Sequence, residues 1–313
     1  MTAQTCIRYF IAILFSFLLI QGCSSDSQKV ENFLADGKEY FQNQEYKKAE
    51  IQFKNVIKLD PESVEAHQLL AKCLLKLGKA AEAFKMYLRL EQLEPENIDT
   101  KVKLASFYLL GKKPAEAESR VTAILAKEPD NLEGLFLKAT LMAFKKEDMN
   151  EIEKIYNRIL ELDPKQVRAH VMLSKIHMQK KQLGQAEKSL LAAIDITPDD
   201  INLYKALINL YMSMNDTDNA RRLLDKLIAR KAGEPEPHVM MGTFQMKQNN
   251  MAEAEASFKR AIQADPKNVT PYIILAKFYN DTRKKDQAEV YILKALEIEP
   301  EHTGLKNLYA EIH

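Results

Sequence analysis

The chain has 313 residues, of which 46% are hydrophobic and 28% are charged, so it is long enough and apolar enough to bury a sizeable core. Its 45 basic and 44 acidic residues give a net charge of +1, which argues against the basic face that nucleic-acid binding requires. The chain has only nine glycines and no tryptophan, and it is rich in Ala, Leu, Lys and Glu, a composition that favours helices.

The first predicted element is a short apolar run at the N-terminus. Residues 1–8 carry one charge, Arg8, and residues 9–20 read YFIAILFSFLLI. A transmembrane helix needs about 20 apolar residues, whereas the core of a signal peptide needs about 7–15. The run therefore predicts a signal peptide, and an uncleaved short anchor is the alternative.

The residues that end this run, Leu19-Ile20-Gln21-Gly22-Cys23, resemble the lipobox of bacterial lipoproteins. The resemblance implies cleavage after residue 22, a diacylglyceryl group on the Cys23 thiol and often a further acyl chain such as palmitate, because two or more chains anchor stably. It therefore implies a signal peptide over residues 1–22, followed by the lipidated cysteine and a short linker over residues 23–29. Asp26 does not directly follow Cys23, which in that family implies an outer-membrane location facing the periplasm; a signal peptide without lipidation is the alternative.

Prolines recur at a nearly constant spacing through the rest of the chain. Seven prolines are separated by 34, 34, 35, 34, 68 and 34 residues: Pro61, Pro95, Pro129, Pro164, Pro198, Pro266 and Pro300. With these prolines at place 32, most units have a small residue at places 8 and 20 and a bulky one at place 24. This spacing predicts eight repeat units, over residues 30–63, 64–97, 98–131, 132–166, 167–200, 201–234, 235–268 and 269–302.

This pattern resembles the tetratricopeptide repeat (TPR). The resemblance implies an all-α fold, an α–α superhelix of about eight helix hairpins, with a short capping helix over residues 303–313. Small residues allow the two helices of a hairpin to approach, and proline at place 32 is expected to end the second helix. The fourth repeat has one extra residue, expected in the turn KKEDMN, and the sixth lacks its proline at Ala232-Gly233.

In this family the concave face binds partners through places 2, 5, 9, 12 and 13 of the first helix. The candidate partner-binding residues at these places are Val102, Leu109, Leu110, Phe136, Phe144, Val171, Met178, Lys205, Asn209 and Met212. The alternative is that these side chains only pack against adjacent helices. Lys205 and Asn209 match part of the clamp with which some members hold the carboxylate of chaperones, but the later clamp places carry Met240, Thr270 and Ile274, so that partner is not expected.

Catalytic and metal sites are not predicted. No P-loop, G-x-G-x-x-G, G-x-S-x-G or H-E-x-x-H motif occurs, and His67, His170 and His238 fall in different repeats. The three cysteines, Cys6, Cys23 and Cys73, form no CxxC pair, so neither a disulfide framework nor a zinc ribbon is indicated. We expect no cofactor and no enzymatic activity.

The predicted function is a non-catalytic adaptor anchored in the bacterial envelope that binds protein or peptide partners in the periplasm. The chain is similar to the TPR lipoproteins of exosortase and exopolysaccharide-export systems and to those of type IV pilus assembly, and eight units favour the first group. The alternative is a regulatory or carrier subunit that binds an enzyme or a glycan. A glycan would be expected to stack on aromatic residues, of which Phe136 and Phe144 lie in the middle of the predicted groove.

Overall fold

The computed structural model describes residues 26–312, and within that range all regular secondary structure is helical, which confirms the predicted all-α fold. The predicted signal peptide and the predicted lipidation site, Cys23, lie outside the described residues. The helices are α1 (26–42), α2 (Tyr46–Leu59), α3 (Val64–Lys76), α4 (Ala80–Leu93), α5 (Ile98–Leu110), α6 (Pro114–Lys127), α7 (Leu132–Phe144), α8 (Met149–Leu162), α9 (Val167–Gln179), α10 (Leu183–Ile196), α11 (Ile201–Ser213), α12 (Thr217–Arg230), α13 (Pro235–Lys247), α14 (Met251–Ala264), α15 (Val269–Asp281), α16 (Lys285–Ile298) and α17 (Thr303–Ile312).

The chain divides into two compact bodies at residue 162. The N-terminal body contains α1–α8 and the C-terminal body contains α9–α17. In each body the helices pair in chain order: the first of each pair is called helix A and the second helix B, and they are joined by an A–B turn. A B–A turn connects each pair to the next.

The first helix begins earlier than predicted. Residues 26–29, which the sequence analysis assigned to the linker, already belong to α1. Lys29 and Asp26 form an ion pair of 2.8 Å one turn apart, and no glycine or proline in this segment interrupts the helix.

The A–B turns share one backbone conformation. Their second residue has a positive φ in every pair, at Gln44, Gly78, Lys112, Lys146, Lys181, Asn215, Asn249 and Arg283. In each turn the following N–H donates back to a helix A carbonyl, as from Lys79 to Leu74 at 2.8 Å, which is the bond that closes a helix C-terminus in the Schellman motif. The extra residue of the fourth repeat lies in the turn over 145–148, as predicted.

The core of each hairpin explains the small and large places of the repeat. Gly37 on α1 faces the ring of Phe53 on α2, and a Cβ at position 37 would lie 2.6 Å from that ring. The alanines at place 20, such as Ala49, Ala83, Ala186 and Ala254, are fully buried. A small residue on one helix thus leaves space for a large one on its partner.

The last helix covers the end of the C-terminal body. Leu305, Leu308 and Ile312 of α17 are buried in a cluster with Leu275 and Ile292 of the eighth repeat. Without α17, the side chains of Leu275 and Ile292 in the final hairpin would face water.

Candidate functional site

A groove on the helix A face of the C-terminal body contains three of the predicted residues. Lys205, Asn209 and Met212 of α11 line a pocket of about 290 Å³ together with Glu236 and Val239 of α13. The three α11 positions are spaced by four and three residues, which places their side chains on one face of the helix. The regular pairing of helices then sets the corresponding face of α13 opposite them.

A second pocket continues the first toward α15. It has a volume of about 310 Å³, shares Glu236 and Val239 with the first pocket, and adds Thr270, Pro271 and Ile274 among others. The two pockets form one depression, which we call the α11–α13–α15 groove. Its length across three consecutive A helices suits an extended or helical segment rather than a compact small molecule.

The floor of the groove is apolar and its rim is polar. Ile208 and Phe244 line the first pocket and are 7% exposed, whereas Asn209 and Thr243 are exposed at its edge. Met212, half-buried, offers a flexible surface that can adapt to different apolar side chains. This arrangement can bury an apolar side chain and hydrogen-bond the backbone beside it.

Lys205 is not a free receptor for a carboxylate. Its ammonium forms an ion pair with Glu236 of the next helix A, and both side chains are nearly half exposed. The pair ties α11 to α13 across the groove, so a ligand carboxylate would have to displace Glu236. This contact agrees with the incomplete carboxylate clamp in the sequence.

The sequence prediction for Phe136 is wrong. Its side chain is only 2% exposed, and its ring lies 6.0 Å from that of Tyr156 on α8. Phe136 is therefore part of the hairpin core and presents no surface to a partner. Its burial also removes one of the two aromatic residues, Phe136 and Phe144, on which glycan binding at the concave face was predicted to rely.

The other predicted residues of the N-terminal body occupy two different environments. Val102 and Leu109 of α5 are half-buried and pack against a core cluster that includes Ala105 and Val121. Leu110 and Phe144, the last residues of α5 and α7, are 82% and 47% exposed. These exposed residues lie beside the A–B turns, at the edge of the body.

In the C-terminal body, Val171 and Met178 of α9 are half-buried against its main core cluster. The sequence analysis missed Glu236 and Thr243, although both occupy face positions of the seventh repeat, places 2 and 9. Most of the predicted residues are apolar, whereas the rim of the groove is polar. Periodicity alone, applied to every residue type, would have found them.

Within residues 26–312, no three His, Cys, Asp or Glu side chains are arranged to hold a metal ion. None of the helices in that part of the chain is long and apolar enough to cross a membrane.

Comparisons with known families point to one repeat. The profile described as tetratricopeptide repeat matches residues 74–141, 143–210 and 245–312, and a second profile of that description matches residues 205–269. A profile of subunit 3 of the anaphase-promoting complex, or cyclosome, matches residues 9–90. A search of curated proteins gives no match.

Three solved structures illustrate the structural likeness. A tetratricopeptide repeat protein from Parabacteroides merdae is 20% identical with a TM-score of 0.58, and the alignment covers 80% of this chain and 98% of that one. The human IFIT1 dimer with m7Gppp-AAAA is 16% identical with a TM-score of 0.51 over 81% of this chain and 68% of that one. PilF of Pseudomonas aeruginosa is 17% identical with a TM-score of 0.46 over 68% and 97%.

At these identities the likeness to the Parabacteroides and human structures shows the fold alone. The repeat profile carries more weight, since its three matches cover more than half of the sequence. The chain therefore belongs to the tetratricopeptide repeat family, whose arrays are protein–protein interaction scaffolds.

Proposed function

We propose that this chain is a non-catalytic adaptor that holds a segment of a partner protein in the α11–α13–α15 groove. The observation that carries the proposal is the groove itself, with its apolar floor, polar rim and length of three A helices. Such a groove binds by burying apolar side chains, and flexible methionines let it accept more than one sequence.

We also propose that the adaptor is held at the periplasmic face of the bacterial outer membrane by a lipid on Cys23. The support is the lipobox-like sequence ending at Cys23 and the short apolar run before it. The adaptor would then assist a secretion, exopolysaccharide-export or pilus machine, and eight repeats favour the exopolysaccharide group. In cells fed a fatty-acid analogue, the chain should take up label and Cys23→Ala should not; label on the variant would refute the anchor.

The groove is tested by crosslinking in intact cells. A photo-reactive amino acid at Thr243, exposed on the rim of the first pocket, should capture a protein partner. The same amino acid at Thr122, exposed on α6 of the N-terminal body, is the matched control. Equal capture at both positions, or capture at neither, would contradict the proposal that a partner binds in the α11–α13–α15 groove.

A competing substitution separates binding from folding. Thr243→Arg places a large charged side chain over the pocket without removing core atoms, so partner capture should fall. The melting temperature should stay within about 1–2 °C of the parent, because surface changes usually alter the free energy of unfolding by under about 0.5 kcal/mol. Thr122→Arg should change neither. Undiminished capture by Thr243→Arg would show that the partner binds elsewhere.

A further inference from the structure

Large apolar side chains stand exposed along one edge of the N-terminal body. Leu110 at the end of α5 is 82% exposed, Phe144 at the end of α7 is 47% exposed, and Leu75 near the end of α3 is 42% exposed. All three precede an A–B turn, and the repeat brings these turns to the same end of consecutive hairpins. Their combined exposure is a cost to a water-soluble surface unless something covers them.

Lysines surround these apolar residues. The turns that follow hold Lys79, Lys112, Lys113, Lys145 and Lys146. We call this edge, formed by Leu75, Leu110, Phe144 and the turns 77–79, 111–113 and 145–148, the basic edge.

The lysines of the basic edge are only partly neutralised. Lys79 pairs with Glu50 at 2.8 Å and Lys145 pairs with Glu118 at 2.7 Å. Lys112, Lys113 and Lys146 form no ion pair with any residue of the described range 26–312. Of the two acidic residues in these turns, Glu147 and Asp148, the second accepts a hydrogen bond from the backbone N–H of Asn150. Three ammonium groups are therefore available to an anionic partner.

The opposite edge of the same body carries the opposite charge. Its B–A turns, over 60–63, 94–97 and 128–131, contain six acidic residues and neither lysine nor arginine: Asp60, Glu62, Glu94, Glu96, Glu128 and Asp130. Two of these acidic residues have partners on nearby helices, since Asp130 binds Arg158 and Glu96 lies near Lys127. A 13-residue helix is about 20 Å long, so the two edges are separated by roughly that distance. An anionic surface would attract one edge and repel the other.

The apolar surface continues inward behind Leu110. A depression of about 400 Å³ is lined by Leu110, Ala80, Ala81, Phe84, Tyr108 and others. Lys113 is the charged residue of its lining. Apolar area and cationic groups therefore meet at the tip of the same turn.

We infer that the basic edge binds the surface of an anionic lipid bilayer, with Leu110 and Phe144 entering the interfacial layer and the lysines contacting lipid phosphates. Exposed apolar side chains ringed by lysine are the combination by which proteins lie on a membrane, since burial of apolar area and attraction to anionic headgroups add. A bilayer fits better than an acidic peptide because the apolar residues stand at the tips of successive turns, along an edge. The inference does not depend on a lipid at Cys23.

The absence of tryptophan from the chain allows a local test. In the full chain carrying Cys23→Ala, Leu110→Trp should show a blue-shifted emission and quenching by brominated lipids on phosphatidylglycerol vesicles, and little response on phosphatidylcholine vesicles. Leu59→Trp, at the 37% exposed end of α2 on the opposite edge, is the matched control and should not respond. Leu110 is exposed, so the reporter leaves the core intact.

The charge requirement is tested in the Leu110→Trp background. Lys112→Gln with Lys113→Gln should weaken binding in the lipid titration by about 25-fold, at roughly a fivefold effect for each lysine near the surface. Lys58→Gln with Lys127→Gln removes the same charge at the opposite edge and should leave the titration unchanged. The inference is refuted if position 110 does not respond, if position 59 responds equally, if phosphatidylcholine is as effective, or if only an acidic protein changes the emission.

Discussion

A single residue in each A–B turn illustrates how far the repeat tolerates local strain. The left-handed conformation costs an L-residue roughly 1–2 kcal/mol, yet lysine, glutamine or arginine occupies it in five turns and asparagine in two. Only the second repeat uses glycine there, Gly78, with a φ of +73°. In the other seven turns, the hydrogen bonds that close the turn offset the cost of the left-handed conformation.

We expect Gly78→Ala to lower the free energy of unfolding by about 1 kcal/mol, because the added Cβ meets no atom within 4 Å and only the backbone conformation opposes it. Gly233→Ala is the control: its Cβ site is equally open and its φ is not left-handed. It should be neutral or stabilising by up to about 1 kcal/mol. Urea titrations of both variants measure the difference, and equal effects would contradict the assignment to φ.

Cys73 gives a second prediction at this scale, a dependence on alkaline pH. The residue is fully buried, its thiol donates to the carbonyl of Tyr46 at 3.0 Å, and burial, with the nearby charge of Glu50, raises the pKa of the thiol to about 11. The ordinary value is 9.0, so folding favours the neutral thiol. Its contribution to stability is complete below pH 9 and is lost as the pH rises from about 9 to about 11.

This pH dependence is measured as the difference in unfolding free energy between the parent and Cys73→Ala across pH 8–11. The parent should lose more stability than the variant over that interval, because only the parent has the thiol. In the native parent at pH 8, mass spectrometry should find the Cys73 peptide unalkylated until urea is added. Rapid alkylation without urea would contradict the burial.

At the scale of the element, polar contacts join one repeat to the next. The Tyr211 hydroxyl on α11 donates to Glu187 on α10 at 2.7 Å, and Tyr279 on α15 donates to Glu255 on α14 at 2.9 Å. Burial raises the pKa of Tyr211, and the hydrogen bond to Glu187 raises it further. The same two places of the repeat thus form the same contact twice.

We expect Tyr211→Phe to destabilise the protein by about 1–2 kcal/mol, since a hydrogen bond to a charged group is lost while the ring stays. Tyr87→Phe is the comparison, because burial alone raises the pKa of the Tyr87 hydroxyl. That change should stay within about 0.5 kcal/mol. Thermal melting of both variants distinguishes them, and equal losses would show that the ring environment dominates.

The sequence predicted the helix hairpins because small and large residues alternate between places that must touch, as Gly37 and Phe53 do. Where proline stands at place 32, helix B ends two residues before it, as predicted; α2, for example, ends at Leu59 before Pro61. The sixth repeat has no proline there, yet α12 ends at Arg230, one repeat length after α10 ends at Ile196. The fixed length of the packed hairpin, rather than proline alone, therefore ends helix B.

The candidate site was less predictable than the fold. Helix α7 reads LEGLFLKATLMAF and is apolar on almost every side, so its periodicity could not show that Phe136 points into the hairpin. The pairing of Lys205 with Glu236 joins residues from different repeats. Such a contact depends on how neighbouring hairpins stack, which no single repeat encodes.

At the scale of the whole molecule, nearly balanced totals hide an ordered distribution of charge. The 45 basic and 44 acidic residues argued against a nucleic-acid surface, but the repeat collects carboxylates at the B–A turns of the N-terminal body and lysines at its A–B turns. When the same residue type recurs at one place of a 34-residue repeat, its side chains line one edge of the stacked hairpins. Net charge therefore says little about what a repeat protein can bind.

The same one-dimensional organisation determines how far the effect of a destabilising substitution extends along the chain. Leu305 of α17 is fully buried against the eighth repeat, so Leu305→Ala should cost about 2–5 kcal/mol locally. Each repeat contacts chiefly its neighbours, and hydrogen exchange should therefore accelerate in α15–α17 while α9 and α10 keep their protection. Leu293→Ala on α16, where the side chain is 46% exposed, is the matched control and should change exchange little. Uniform acceleration through the C-terminal body would mean that it unfolds as one cooperative block, and the local-neighbour description would then be wrong.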